Sequence, residues 1–178
     1  MKDIEYTGLM SKEIINRIEK SGLITIDLDE IEIPNNILRI DIKDWLFEGL
    51  FLKEKEFRYS VINHDWSKYK NSYVYVHCSS KAIIPRWAYM LVSSQLESFT
   101  KNVIIGNIEN FYHRYFENAI NQIDMTIYRD KSVIIKGCSD EKIPIYAYHL
   151  ITTKPKPYAK SIMYGEACSS VPIYKRPS

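Results

Sequence analysis

The spacing of apolar positions changes along the chain, and each change marks an element. Ile14, Ile15 and Ile18 share one helical face, with Ser11 placed to cap that helix and Gly22 to end it. Residues 23–28 read as a strand, Pro34-Asn35-Asn36 as a turn, and residues 38–42 alternate apolar with charged side chains in the manner of a half-exposed strand. A helix with Phe57 and Val61 on one side closes this N-terminal preface, just ahead of His64-Asp65-Trp66.

From Tyr73 the pattern becomes regular. Short runs of strand formers occupy 73–76, 103–105 and 133–135; the first runs into Cys78, the second is closed by Gly106 and the third by Gly137 and Cys138. Between them, Ala88, Leu91, Val92, Leu96 and Phe99 recur at helical spacing, as do Phe111, Tyr115, Ala119, Ile120 and Ile123. Short strands alternating with helices predict parallel βαβ units with right-handed crossovers. The expected fold is a layered α/β domain with a small, mainly parallel sheet and an α/β N-terminal extension. One domain is expected over 1–178, with the extension over 1–66 and a βαβ core over 67–178 whose C-terminal segment folds back over the strand ends.

Composition narrows the function classes. The chain has 178 residues, 46% hydrophobic, with a net charge of +2, so it can bury a core and offers no basic surface for nucleic acid. No apolar run approaches the roughly 20 residues needed to cross a bilayer, and Met1-Lys2-Asp3-Ile4-Glu5 lacks the basic and apolar order of a signal peptide. A cytoplasmic protein is expected, without membrane or nucleic-acid partners. An odd cysteine count in a reducing compartment argues against a disulfide framework.

The three cysteines share one setting. Cys78-Ser79 precedes Ile84-Pro85, Cys138-Ser139 precedes Ile143-Pro144, and Cys168-Ser169 precedes Val171-Pro172. Cys78 and Cys138 each stand at the carboxyl end of an expected parallel strand, the edge where open α/β sheets bind ligands. Each also precedes a helix announced by proline, and a helix N-terminus favours thiolate over thiol. If the C-terminal segment crosses the same edge, Cys168 joins them and three thiols converge. Such a site would hold zinc or an iron–sulfur cluster, with His64 as a fourth ligand oriented by Asp65. His77 is the weaker fourth ligand, because neighbours in a strand face opposite ways. Ser79, Ser139 and Ser169 either bond the bound group or simply cap backbone amides. A second copy of the chain could also supply a ligand, which would make the protein a homo-oligomer.

Two other readings stay open. One cysteine at a helix start could be the nucleophile of a sulfur- or acyl-transfer enzyme, although no phosphate-binding Gly-rich loop, dinucleotide glycine triplet or paired-histidine protease motif is present. Alternatively, exposed members of the 14 tyrosines and three tryptophans could bind a protein partner.

Several segments resemble an uncharacterised bacterial family, domain of unknown function 2480. They are Asp41-Ile42-Lys43-Asp44-Trp45-Leu46-Phe47, His64-Asp65-Trp66-Ser67, Pro85-Arg86-Trp87-Ala88-Tyr89-Met90-Leu91, Ile135-Lys136-Gly137-Cys138-Ser139, and the run from Ala159 through Gly165-Glu166-Ala167-Cys168-Ser169. The resemblance extends over residues 11–176 and carries no established activity. It implies a role beside the sulfur-mobilisation machinery that builds iron–sulfur clusters, with assembly proteins as partners. Ala167 stands where the family is expected to have proline, and Pro155 and Pro157 interrupt an expected helix. The leading expectation is a non-catalytic metal- or cluster-binding protein.

Overall fold

The computed structural model describes residues 16–18, 22–137 and 141–177. In chain order its strands are β1 (Asn16–Ile18), β2 (Leu23–Asp27), β3 (Ile37–Asp41), β4 (Tyr73–His77), β5 (Val103–Ile105), β6 (Ser132–Lys136), β7 (Ser161–Glu166) and β8 (Ser169–Lys175). Its helices are α1 (Glu54–Asn63), α2 (Arg86–Leu96), α3 (Ile108–Asn121) and α4 (Ile145–Thr153). The α/β class is as the sequence implies, but the strands form two sheets. The chain divides into two compact units, one over Ile33–Tyr115 and one made of Met1–Glu32 with Phe116–Ser178.

The first unit is built on the all-parallel sheet β3-β4-β5. Period-two alternation along β4 buries Val74 and Val76 on one face and leaves Tyr73, Tyr75 and His77 half-exposed on the other. The buried face joins Phe57 and Val61 of α1 and Ala88, Val92 and Leu96 of α2 in one core, so both crossover helices pack on that face. The opposite face receives the first half of α3, where Tyr73 meets Phe111 and Tyr115 edge-on at 5.9 and 5.7 Å.

The second unit carries the sheet β1-β2-β6-β7-β8, in which the β2-β6-β7 centre is parallel and both edges are antiparallel. β1 occupies positions where apolar spacing predicted the end of a helix, and pairs with β2 instead; Ser11, Ile14 and Ile15 lie outside the described residues. The C-terminal segment forms a hairpin, β7 and β8 joined through Ala167-Cys168. Pro172 is tolerated in β8 because an edge strand leaves one row of amides unpaired. No helix among the described residues is long and apolar enough to cross a membrane.

The two units repeat one another at a spacing of 59 positions. Phe57 and Val61 of α1 correspond to Phe116 and Ile120 of α3, Val74 and Val76 of β4 to Val133 and Ile135 of β6, and Ala88 and Val92 of α2 to Ala147 and Ile151 of α4; all are buried. Asp65 accepts hydrogen bonds from the amide and hydroxyl of Ser67, and Asp124 from those of Thr126. Asn71 and Asp130 adopt left-handed φ values of 56° and 58°, and their amides donate to the carbonyls of Phe99 and Tyr158. Strand register agrees too, since Ile37 faces Tyr73 as Leu23 faces Ser132. Each unit is therefore a βαβαβ motif, the second assembled from β2 and a distant stretch running from α3 to β7.

Candidate functional site

Parallel strands end on the same edge of a sheet, and in the first unit that edge opens into a cleft of about 270 Å³. Its walls are Val76, His77 and Cys78 at the end of β4, Tyr89 from α2, and Ile105, Gly106, Asn107 and Asn110 where β5 turns into α3. Gly106 makes this turn at φ 137°, and a side chain there would collide with that of Asn110. Asn107 and Asn110 cap the helix reciprocally: each side-chain oxygen accepts the other's backbone N–H, at 3.0 and 2.9 Å.

Asp41, at the end of β3, stands behind two of these groups, beside His77 and the loop that carries Cys78. Its side chain is only 6% exposed, and Oδ1 accepts the amides of Lys43 and Ser79 at 3.1 and 3.0 Å. Burial works against its charge, yet the hydrogen bonds of Ser79 and Lys43, with nearby His77, hold the carboxyl below the usual aspartate range. His77 Nε2 lies 3.7 Å from Asp41 Oδ2, too far for a hydrogen bond, and has no hydrogen-bond partner among the described residues. The Cys78 thiol contacts Ser80 Oγ at 3.4 Å. Burial, then proximity to Cys78 and Asp41, pushes the Tyr89 phenol up, and its hydroxyl makes no hydrogen bond among the described residues.

The corresponding place in the second unit is satisfied from within. Tyr148, the counterpart of Tyr89, donates its hydroxyl to the carbonyl of Gly137, which stands at the Cys78 position. Lys136, the counterpart of His77, is paired with Glu166, the counterpart of Asn107. Among the described residues, one copy of the strand edge thus pairs these polar groups internally, and the other leaves them without hydrogen bonds at an open cleft.

The expected metal centre is corrected by the structure. Among the described residues, no group of three or more His, Cys, Asp or Glu side chains could hold a metal ion, so iron–sulfur or zinc binding through three convergent cysteines loses its basis. Cys78 and Cys168 are free thiols that belong to different units; Cys138 and Ser139 lie outside the described residues. Cys168 occupies the exposed tip of the β7-β8 hairpin, with Ser169 opening β8 behind it. His64 is enclosed by aromatic rings, 5.1 Å from Trp45, 4.7 Å from Trp66 and stacked at 5.8 Å on Tyr69, whose hydroxyl lies 3.1 Å from its Nε2. Asp65 turns to Ser67 rather than to the imidazole. Ser79 donates its backbone amide to the Asp41 carboxylate. His77 and Cys78 border the same cleft after all, because β4 ends at His77 and strand alternation no longer governs Cys78.

Sequence reasoning missed Asp41, Tyr89, Asn107 and Asn110 as site residues and read Gly106 only as the end of a strand run. Asp41 and Tyr89 do fall within the segments that carry the family resemblance, and that was the available signal. The model of the family described as "Protein of unknown function (DUF2480)" matches residues 12–176. The chain belongs to that family. No curated protein and no solved structure matches the chain.

Proposed function

We propose that the protein binds a small polar molecule in the cleft at the carboxyl edge of β4 and β5. One observation carries this reading: at the cleft, the buried His77 Nε2 has no hydrogen-bond partner among the described residues and the half-buried Tyr89 hydroxyl has no internal acceptor, whereas Tyr148 and Lys136, at the same positions of the second unit, bond to Gly137 and Glu166. Buried polar groups are normally satisfied, so the open His77 Nε2, with the Tyr89 hydroxyl beside the same cleft, is suited to a ligand that supplies the missing partners. At about 270 Å³ the cleft falls just below the usual range of ligand pockets, roughly 300–1,000 Å³, which points to a compact metabolite. A reduced Cys78 at its wall suits a cytoplasmic protein.

The test is a fragment screen by amide NMR on the full chain. Binders are expected to shift the signals of His77, Cys78, Tyr89, Gly106 and Asn107, with Tyr89→Phe weakening them. A diverse panel that leaves those signals unmoved, or that moves Lys136 and Glu166 instead, would overturn the reading.

A further inference from the structure

The internal repeat also says what kind of group the cleft receives. In the second unit, the place where β7 leaves the sheet presents a carboxylate, that of Glu166, and it docks on Lys136 at the end of β6. In the first unit the acid is replaced by Asn107 and the base by His77. A ring nitrogen is kept at the strand end, with Asp41 3.7 Å behind it, and the further carboxylate that the chain supplies from the Glu166 position of the second unit is gone.

The polar groups lining the cleft agree with that substitution. Asn107 and Asn110 commit their side-chain oxygens to each other's amides, so the halves left to a ligand are their NH₂ groups, which only donate. The Tyr89 hydroxyl has no internal acceptor, whereas that of Tyr148 has the Gly137 carbonyl. The neighbouring acid, Asp41, accepts the amides of Ser79 and Lys43 through Oδ1, holds Oδ2 3.7 Å from His77, and does not line the cleft. Unengaged donors outnumber acceptors, and a donor-lined cleft is complementary to a group with several lone pairs and no proton to give.

Resting on the ligand-binding reading above, we infer that the cleft binds its ligand through an oxyanion, a carboxylate or a phosphate, which takes the place that Glu166 fills in the second unit and is received by Tyr89, Asn107, Asn110 and His77. The apolar surface of Ile105, half-exposed at the rim, faces the remainder of a small organic acid or ester.

The experiment is an amide NMR titration of the full chain with propionate, inorganic phosphate, propionamide and propylammonium, each at millimolar concentration. Propionate or phosphate is expected to shift Gly106, Asn107 and Cys78 with saturation, and the tighter of the two names the oxyanion; propionamide and propylammonium are expected at least ten-fold weaker. Tyr89→Phe should raise the dissociation constant about five-fold. Asn107→Glu, which restores the carboxylate of the second unit, should abolish oxyanion binding while signals remote from the cleft stay in place. Shifts with propionamide or propylammonium equal to those with propionate would overturn the oxyanion and leave the cleft as a ligand site. If none of the four binds but other fragments occupy the cleft, the oxyanion inference alone fails. If nothing at all binds there, the ligand reading fails with it.

Discussion

Tyr69 and Tyr128 occupy the same position in the two units, and only Tyr69 has a partner for its hydroxyl, His64 Nε2 at 3.1 Å. The residue at the His64 position of the second unit is Ile123, so the Tyr128 hydroxyl is buried with no partner among the described residues. Burial drives both phenols up to about 12, with Asp65 and Asp44 adding to the effect at Tyr69. A buried hydrogen bond contributes about 1 kcal/mol net, and an unsatisfied buried group costs roughly 1–3 kcal/mol. Tyr69→Phe should therefore lower stability by about 1 kcal/mol, and Tyr128→Phe should leave it unchanged or raise it. Urea unfolding midpoints of the two variants, compared at equal m-value, decide the matter.

The enclosure of His64 predicts a pH dependence of definite sign. Burial, then Lys68, lowers its pKa below 6.5, against a smaller opposing pull from Asp65. The unfolded chain therefore binds this proton more tightly than the folded one. The stabilising contribution is complete above pH 6.5 and is lost as pH falls through the lower, folded value. Urea midpoints recorded from pH 8 to pH 4.5 should decline below 6.5 in the native chain and decline less in His64→Gln. Asp41, whose carboxyl is held below 3.8, keeps its contribution throughout that range and does not confuse the comparison.

The elements were largely legible, and their partnership was not. Val74 and Val76 alternate with Tyr73 and Tyr75, and Ala88, Val92 and Leu96 recur at helical spacing, because one face of each element is buried. Which strands pair is a long-range choice that hydrophobic period does not encode, so the division into two sheets came only with the structure. The β8 strand was hidden by Pro172, and the cleft by residues with ordinary local roles: Asp41 reads as the polar step of a strand and Tyr89 as helix packing. The recurring cysteine phrase had a structural origin of another kind. Its first two occurrences fall in the two copies of one motif, with Cys78 at the position of Gly137 and Ser79 at that of Cys138, while the third sits at a hairpin tip.

Asp41 links β3 to the loop that carries Cys78, and its replacement should be felt both in stability and at the cleft. Its carboxylate receives backbone donors from Lys43 and Ser79, and hydrogen bonds to a charged group are worth about 1.5–3 kcal/mol. Asp41→Asn should destabilise the chain by about that amount. Asp27 holds the same position in the second unit but accepts from Asp29, two residues away. Asp27→Asn should cost less than half as much, and hydrogen exchange should show the Ser79 and Cys78 amides opening in Asp41→Asn alone.

Gly165, at the position equivalent to Gly106, tests the hairpin that carries Cys168. Its φ of 113° lies where residues with a side chain are strained, and a Cβ there would come within 2.8 Å of the Ser169 carbonyl oxygen, a backbone atom that cannot rotate away. Gly165 faces Ser170 and its neighbour Glu166 faces Ser169 in the β7-β8 ladder, so relief of the clash must come from parting the strands next to the turn. Gly165→Ala should lose roughly 1–3 kcal/mol and increase exchange of the Ser169 and Ser170 amides. Gly22→Ala is the control, since its φ of 64° is also left-handed but no atom lies within 4 Å of the added carbon; it should cost about 1 kcal/mol and leave the hairpin amides untouched. Equal effects of the two substitutions on Ser169 exchange would mean that backbone strain, not the carbonyl contact, sets the cost at Gly165.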